Sequence, residues 1–157
     1  MTHPAHPDLG AWSAIALFLA LLTSALTAAF ALAHALELPN KIGMTRDDYF
    51  VTQQAYRGWA YLAYLLGLQL LALVWTIVIH RHAPNVMIPA CIALACLIGA
   101  QILFWTFTFP ANQATGNWLT KPDNWHALRR NWEYSHAAGA GLQLIGLCAL
   151  FVGVLRR

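Results

Sequence analysis

Four long apolar runs dominate this chain, and short polar stretches separate them. Each run is long enough to cross a bilayer as a helix. The spacing predicts helices near 9–38, 51–80, 86–109 and 124–155. The first is expected to follow Pro7 with Asp8 as its N-cap and to end at Pro39-Asn40. It is too long for a signal-peptide core and no Lys or Arg precedes it, so it reads as a retained transmembrane helix. A mixed-charge loop from Lys41 to Tyr49 follows, with Arg46-Asp47-Asp48 as a turn or helix start. The third helix is expected to stop at Pro110.

Polar positions within these runs fall on stripes. Thr23, Thr27, His34 and Glu37 share one face of the first helix; Gln54, Arg57, Tyr61 and Tyr64 share one on the second. Gln101, Trp105, Thr108 and Asn112 line up on the third, and Arg129, Glu133, His136, Ala140 and Gln143 on the fourth. The fold class is all-α: a single domain over residues 1–157, an integral membrane four-helix bundle running up-down-up-down. That connectivity gathers His34, Glu37, Gln54, Arg57, Asn112, Arg129, Glu133 and His136 at one end, with five of the six acidic residues. The opposite end holds the termini and the His80 to Asn85 turn.

Composition agrees with lipid as the solvent. The chain is 59% hydrophobic and 10% charged, against roughly 25% charged in a water-soluble domain. A net charge of +3 is small and needs no nucleic-acid partner, and no basic run supports one. Cys91, Cys96 and Cys148 lie inside apolar runs and read as small buried residues. Omitting Arg57 and Arg129 as site residues leaves four basic residues at the equipped end against three at the other, so the side of the site is not fixed.

Several features have ordinary structural readings. Gln69, Gln101 and Gln143 are expected in interhelical hydrogen bonds, and Ser135/Gly139 and Ala137/Gly141 in close helix packing. Trp12, Trp59, Trp118 and Trp125 read as interfacial anchors, while His80 and His82 read as solvated. Homo-oligomerisation stays open.

The polar end supports three chemistries. His34, Glu37, Glu133 and His136 resemble the ligand spacing of carboxylate-bridged bundles and would suit a mononuclear Fe, Zn or Cu ion. Helices two and three add no carboxylate, and Arg57 and Arg129 oppose a cation. Haem between His34 and His136 is a further alternative. The third chemistry is acid–base and needs no cofactor: a His held by a Glu takes a proton from a weak acid, and an Arg stabilises the resulting oxyanion. Tyr61, Tyr64, Trp105 and Trp132, with Gln54, would wall a flat apolar substrate arriving from the bilayer.

Pro110, Asn112, Trp125, Leu128, Arg129, Trp132 and His136 form a Pro-x-Asn followed by Trp-x-x-Leu-Arg-x-x-Trp and a His four residues on. This pattern resembles the anthrone-oxygenase-like family of small four-helix membrane proteins, long catalogued as a domain of unknown function. Many members carry an Arg shortly after the His, where this chain has Ala137-Ala138-Gly139. The resemblance implies addition of O2 to an anthrone- or quinol-like substrate without metal or flavin. His136 would be the base, Glu133 or Glu37 its partner, Arg129 and Arg57 the oxyanion stabilisers, and Asn112 a donor. The alternative is a non-catalytic binding or accessory protein whose cluster locks the bundle end. A cavity at the cluster would separate the two.

Overall fold

The computed structural model describes residues 8–156, and four of its helical spans are long and apolar enough to cross a membrane. These spans are Gly10–Lys41, Trp59–Ile79, Pro84–Ala114 and Trp125–Leu155. The capping role expected of Asp8 and the Arg157 end of the last helix fall outside the described side chains. Helix α1 (Asp8–Lys41) is followed by a short α2 (Arg46–Gln53), two 3-10 turns, α3 (Leu62–Ile79), α4 (Pro84–Leu103), a π turn, α5 (Phe109–Ala114) and α6 (Trp125–Leu155). α1 packs on α3 and α6, and α4 packs on α3 and α6, which closes a ring of four. A membrane-embedded, multi-pass four-helix bundle is the result.

The bundle core within the membrane is made of small and branched residues, Ala20, Ala72, Leu73, Ala90, Ala93, Leu97 and Leu150. Close approach of α4 and α6 depends on missing side chains: a Cβ on Gly146 would lie 3.3 Å from the Ala93 Cα. One turn of polar groups crosses this core. Gln69 Nε2 donates to Ser24 Oγ at 3.2 Å and to Gln143 Oε1 at 3.0 Å, and Thr27 Oγ1 donates to Gln69 Oε1 at 3.0 Å. Gln69 and Gln143 thus make the interhelical bonds expected of them. Gln101 instead lines an apolar groove between α3 and α4.

Three helix boundaries differ from those the sequence predicts. α1 does not end at Pro39 but continues to Lys41; it is then about 50 Å long, well beyond a hydrocarbon core of about 30 Å. The continuation carries the Lys41 ammonium over to α6. The second span does not run on from Val51. Thr45 caps α2, accepting from the Asp48 N–H at 3.3 Å, and the chain breaks at Gly58, whose φ of 91° a helix cannot contain. The third span passes Pro110 because residues Phe104–Thr108 form a π turn. There the Phe109 N–H reaches the Phe104 carbonyl, five residues back, just before the proline. The extra residue rotates the face, so Thr108 is buried while Trp105 points outward.

Other assignments change because lipid, not water, is the outer solvent. Cys91 and Cys148 are exposed on the outer surface rather than buried; an apolar side chain needs no shelter from acyl chains. His80 is not solvated but buried, its Nε2 2.7 Å from Ser13 Oγ and its Nδ1 2.9 Å from the Thr76 carbonyl. His82 is exposed as expected. Trp118 and Trp125 are not interfacial anchors. They are buried with Tyr49, Phe50, Ala111 and Trp132 in a second, aromatic core that caps the polar end. Gly116, Asn117 and Trp118 all have left-handed backbone, which folds the loop after α5 back onto this cap. Asn117 N–H to the Asn112 carbonyl (2.7 Å) and Trp118 N–H to Thr115 Oγ1 (3.1 Å) hold it there.

Candidate functional site at the capped end of the bundle

The stripe expected on the last helix does face inward. Arg129, Glu133, Ala140 and Gln143 are buried and His136 is half-buried. From α1, His34 comes to meet it: the His34 and His136 ring centres lie 4.3 Å apart with planes tilted by 32°. Aromatic rings surround the pair. His34 is 4.5 Å from Tyr56, 4.8 Å from Trp59 and 5.1 Å from Trp132, while His136 is 4.2 Å from Trp132. The Nδ1 of His34 is buried and has no hydrogen-bond partner.

One turn before His136, Glu133 anchors an ionic network. Its Oε1 accepts from Lys41 Nζ at 2.9 Å and from Tyr49 Oη at 2.9 Å, while its Oε2 is buried and unpartnered. Lys41 is 2% exposed, so its charge depends on these neighbours. The ammonium also donates to Tyr56 Oη at 3.0 Å and to Gln53 Oε1 at 3.4 Å, and it lies 4.5 Å from the centres of the Tyr56 and Trp132 rings. Tyr56 Oη donates to Glu37, an exposed carboxylate 3.8 Å from Lys41. Burial, reinforced by the charge and hydrogen bond of Glu133, raises the Tyr49 hydroxyl far above its ordinary range, so it stays a neutral donor. At the rim, the hydrogen bond and charge of Lys121, 2.6 Å away, hold the Asp47 carboxyl below its usual range.

Several predicted site residues have other partners. The Arg129 guanidinium donates to the Met44 carbonyl at 2.7 Å and lies 4.6 Å from the centre of the Trp125 ring, clamping the loop after α1, while its Nε is buried without a partner. Asn112 commits its carbonyl to two indoles, Trp118 and Trp132, each at 3.0 Å, and so acts as an acceptor that sets their orientation. Arg57 is exposed and donates to Gln54 Oε1 at 3.2 Å; Gln54 in turn donates to the Trp118 carbonyl at 3.0 Å. The break at Gly58 removes the helical face on which Gln54, Arg57, Tyr61 and Tyr64 were placed together. Tyr61 and Tyr64 are each 75% exposed and stack on each other. Tyr61 lines an open pocket of about 210 Å³ with Phe30, Gly58, Trp59 and Leu62, and Trp105 lines the α3–α4 groove of about 530 Å³. Neither is lined by His34 or His136.

Lys41, Tyr49, Gln53 and Tyr56 are site residues that the sequence reading did not single out. For Lys41 the signal was present, because it lies seven residues after His34 and four after Glu37 on one helical face. His34, Glu37, Glu133 and His136 do not converge as a metal site; among the described residues no group of three His, Cys, Asp or Glu could hold an ion. Glu133 is bound to Lys41, and Glu37, half-exposed, is bound to Tyr56. Two imidazoles with centres 4.3 Å apart also leave no room for a haem plane between them, since each ligating nitrogen would stand about 2 Å from the metal. Comparison with known protein families, with curated proteins and with solved structures finds no match for this chain.

Proposed function

We propose that the chain is a membrane oxygenase that takes a proton from a flat, weakly acidic aromatic or quinol-like molecule and lets the resulting carbanion react with O2. The observation that carries this reading is the imidazole pair inside an aromatic box, with the buried Nδ1 of His34 lacking a partner. For an anthrone-like substrate the reaction balances without a cofactor. His136 removes a proton from the ring methylene, the carbanion adds O2 to give a bound peroxide, the imidazolium returns its proton to the outer peroxide oxygen, and loss of water leaves a quinone carbonyl. The resemblance of the Trp125 to His136 segment to anthrone-oxygenase-like proteins supports the same chemistry. Trp59, between His34 and the pocket lined by Phe30 and Tyr61, marks the approach from the bilayer.

A second reading rests on a specific observation: the grooves beside the bundle do not reach the imidazoles, so the cluster also suits a lock for the bundle end in a binding or accessory protein. Oxygen uptake by purified protein with a hydroxylated anthrone as probe separates the two. His136→Ala is expected to abolish uptake while the thermal unfolding profile stays near wild type. No uptake by wild type, with a large loss of stability in His136→Ala, would establish the lock instead.

A further inference from the structure

We infer that the groove between α3 and α4 is a binding site for a flat, membrane-soluble molecule with two carbonyl or hydroxyl oxygens, of the quinone and quinol class. It is separate from the imidazole pair and stands whether or not the chain is an oxygenase. The groove offers about 530 Å³, the size of a small-molecule site. Its α3 wall is Ala63, Leu66, Gly67 and Leu70, neighbours of Gln69, so it lies at the depth of the polar layer inside the membrane. Gly67 opens it: a Cβ there would meet nothing within 4 Å.

Two polar groups on the opposite wall are unmatched. Gln69 and Gln143 bond to each other across the bundle, but the Gln101 amide makes no hydrogen bond with any described residue. In hydrocarbon no water is at hand to satisfy it, so an unmatched amide is costly. Thr106 is the second. Thr23, Thr27, Thr76 and Thr115 each donate to the carbonyl four residues back, whereas the Thr106 hydroxyl bonds to no described residue. The π turn at Phe104–Thr108 sets Trp105 and Thr106 on this wall, with Trp105 59% exposed. Gln101 and Thr106 stand five residues apart, about 7.5 Å along the helix. A planar ring with an oxygen at each end can lie against the Trp105 indole while one oxygen accepts from Gln101 and the other from Thr106. Other occupants match the wall less well. An acyl chain fills the space but brings no acceptor to Gln101, because its ester stays at the membrane surface. A second copy facing the same concave surface leaves a void between the two grooves.

The probe is a decyl-substituted benzoquinone titrated into purified protein in lipid nanodiscs, with binding read as quenching of tryptophan fluorescence. Saturable quenching is expected in wild type and in His136→Ala. Gly67→Leu fills the groove and is expected to weaken binding by roughly tenfold or more. Its melting temperature should hold or rise, because leucine replaces a helical glycine in open space. Gln101→Leu and Thr106→Val each remove one hydrogen bond and are expected to weaken binding about fivefold. Quenching that never saturates, or saturates alike in wild type and the groove variants, would overturn the site in favour of simple partition into lipid. Decane competing as well as the quinone would reassign the groove to acyl chains. A wild-type dimer in detergent that Gly67→Leu turns monomeric would make it an interface between copies. Loss of binding in His136→Ala would move the quinone to the imidazoles.

Discussion

At the scale of single residues, Lys41 and Glu133 decide the character of the capped end. Neither charge is near water, and each is tolerable because the other lies 2.9 Å away. Removing one partner leaves the other buried and uncompensated, at a cost of about 3–5 kcal/mol. Glu133→Ala is therefore expected to lower the melting temperature in detergent sharply, and Glu133→Gln less, because an amide still accepts from Lys41 and Tyr49. The double variant Lys41→Met with Glu133→Leu should recover most of the loss, since a well-packed apolar pair often matches a buried ion pair. A double variant no more stable than Glu133→Ala would show that the cost lies in packing rather than in charge. The Glu133 position was legible from the stripe it shares with His136 and Gln143. The sequence offers histidine as its partner instead, because a helix stopping at Pro39 would leave Lys41 in the loop.

At the scale of elements, what the sequence disclosed depends on the solvent. In water, alternation of apolar and polar positions marks both the faces and the ends of a helix. In lipid the outward face is as apolar as the inward one, so only the polar residues retain directional information. That is why four spans and their polar stripes could be read directly, while the π turn at Phe104–Thr108 and the passage through Pro110 could not. The break at Gly58 left a single visible sign, the glycine itself. Gly58→Ala forces a side chain into left-handed backbone, at a cost of about 1–2 kcal/mol. It is expected to raise hydrogen exchange of α2 selectively, leaving the bundle protected; uniform loss of protection would mean that α2 and the bundle unfold as one unit. Gly146→Val should do the opposite. Its side chain meets the α4 backbone at Ala93, and overpacking of about 1–3 kcal/mol falls on the membrane core, read as a lower melting temperature with the cap intact.

At the scale of the whole molecule, the two ends of the bundle are built differently. At the plain end, Ser13 bonds to His80 and the Asn85 amide donates to the Arg156 carbonyl at 2.9 Å, tying the start of α1 to the end of α3 and the start of α4 to the end of α6. Residues near positions 10 and 156 thus lie on the same side of the membrane, opposite the cap. Single cysteines placed at Gly10 and Arg156, in protein lacking Cys91, Cys96 and Cys148, are expected to react with an impermeant maleimide from the same face. A cysteine at Asp47 should react from the other; labelling of all three from one face would sink the bundle. The pairing across the capped end also constrains biogenesis. Lys41 belongs to the first of these four spans to be synthesised and its buried counter-charge to the last of the four. Throughout synthesis of the intervening spans the Lys41 ammonium has only the half-exposed Glu37 carboxylate of its own helix beside it, and it can stay hydrated at the membrane surface. Burial of Lys41 against Glu133 therefore waits for α6 to be in place.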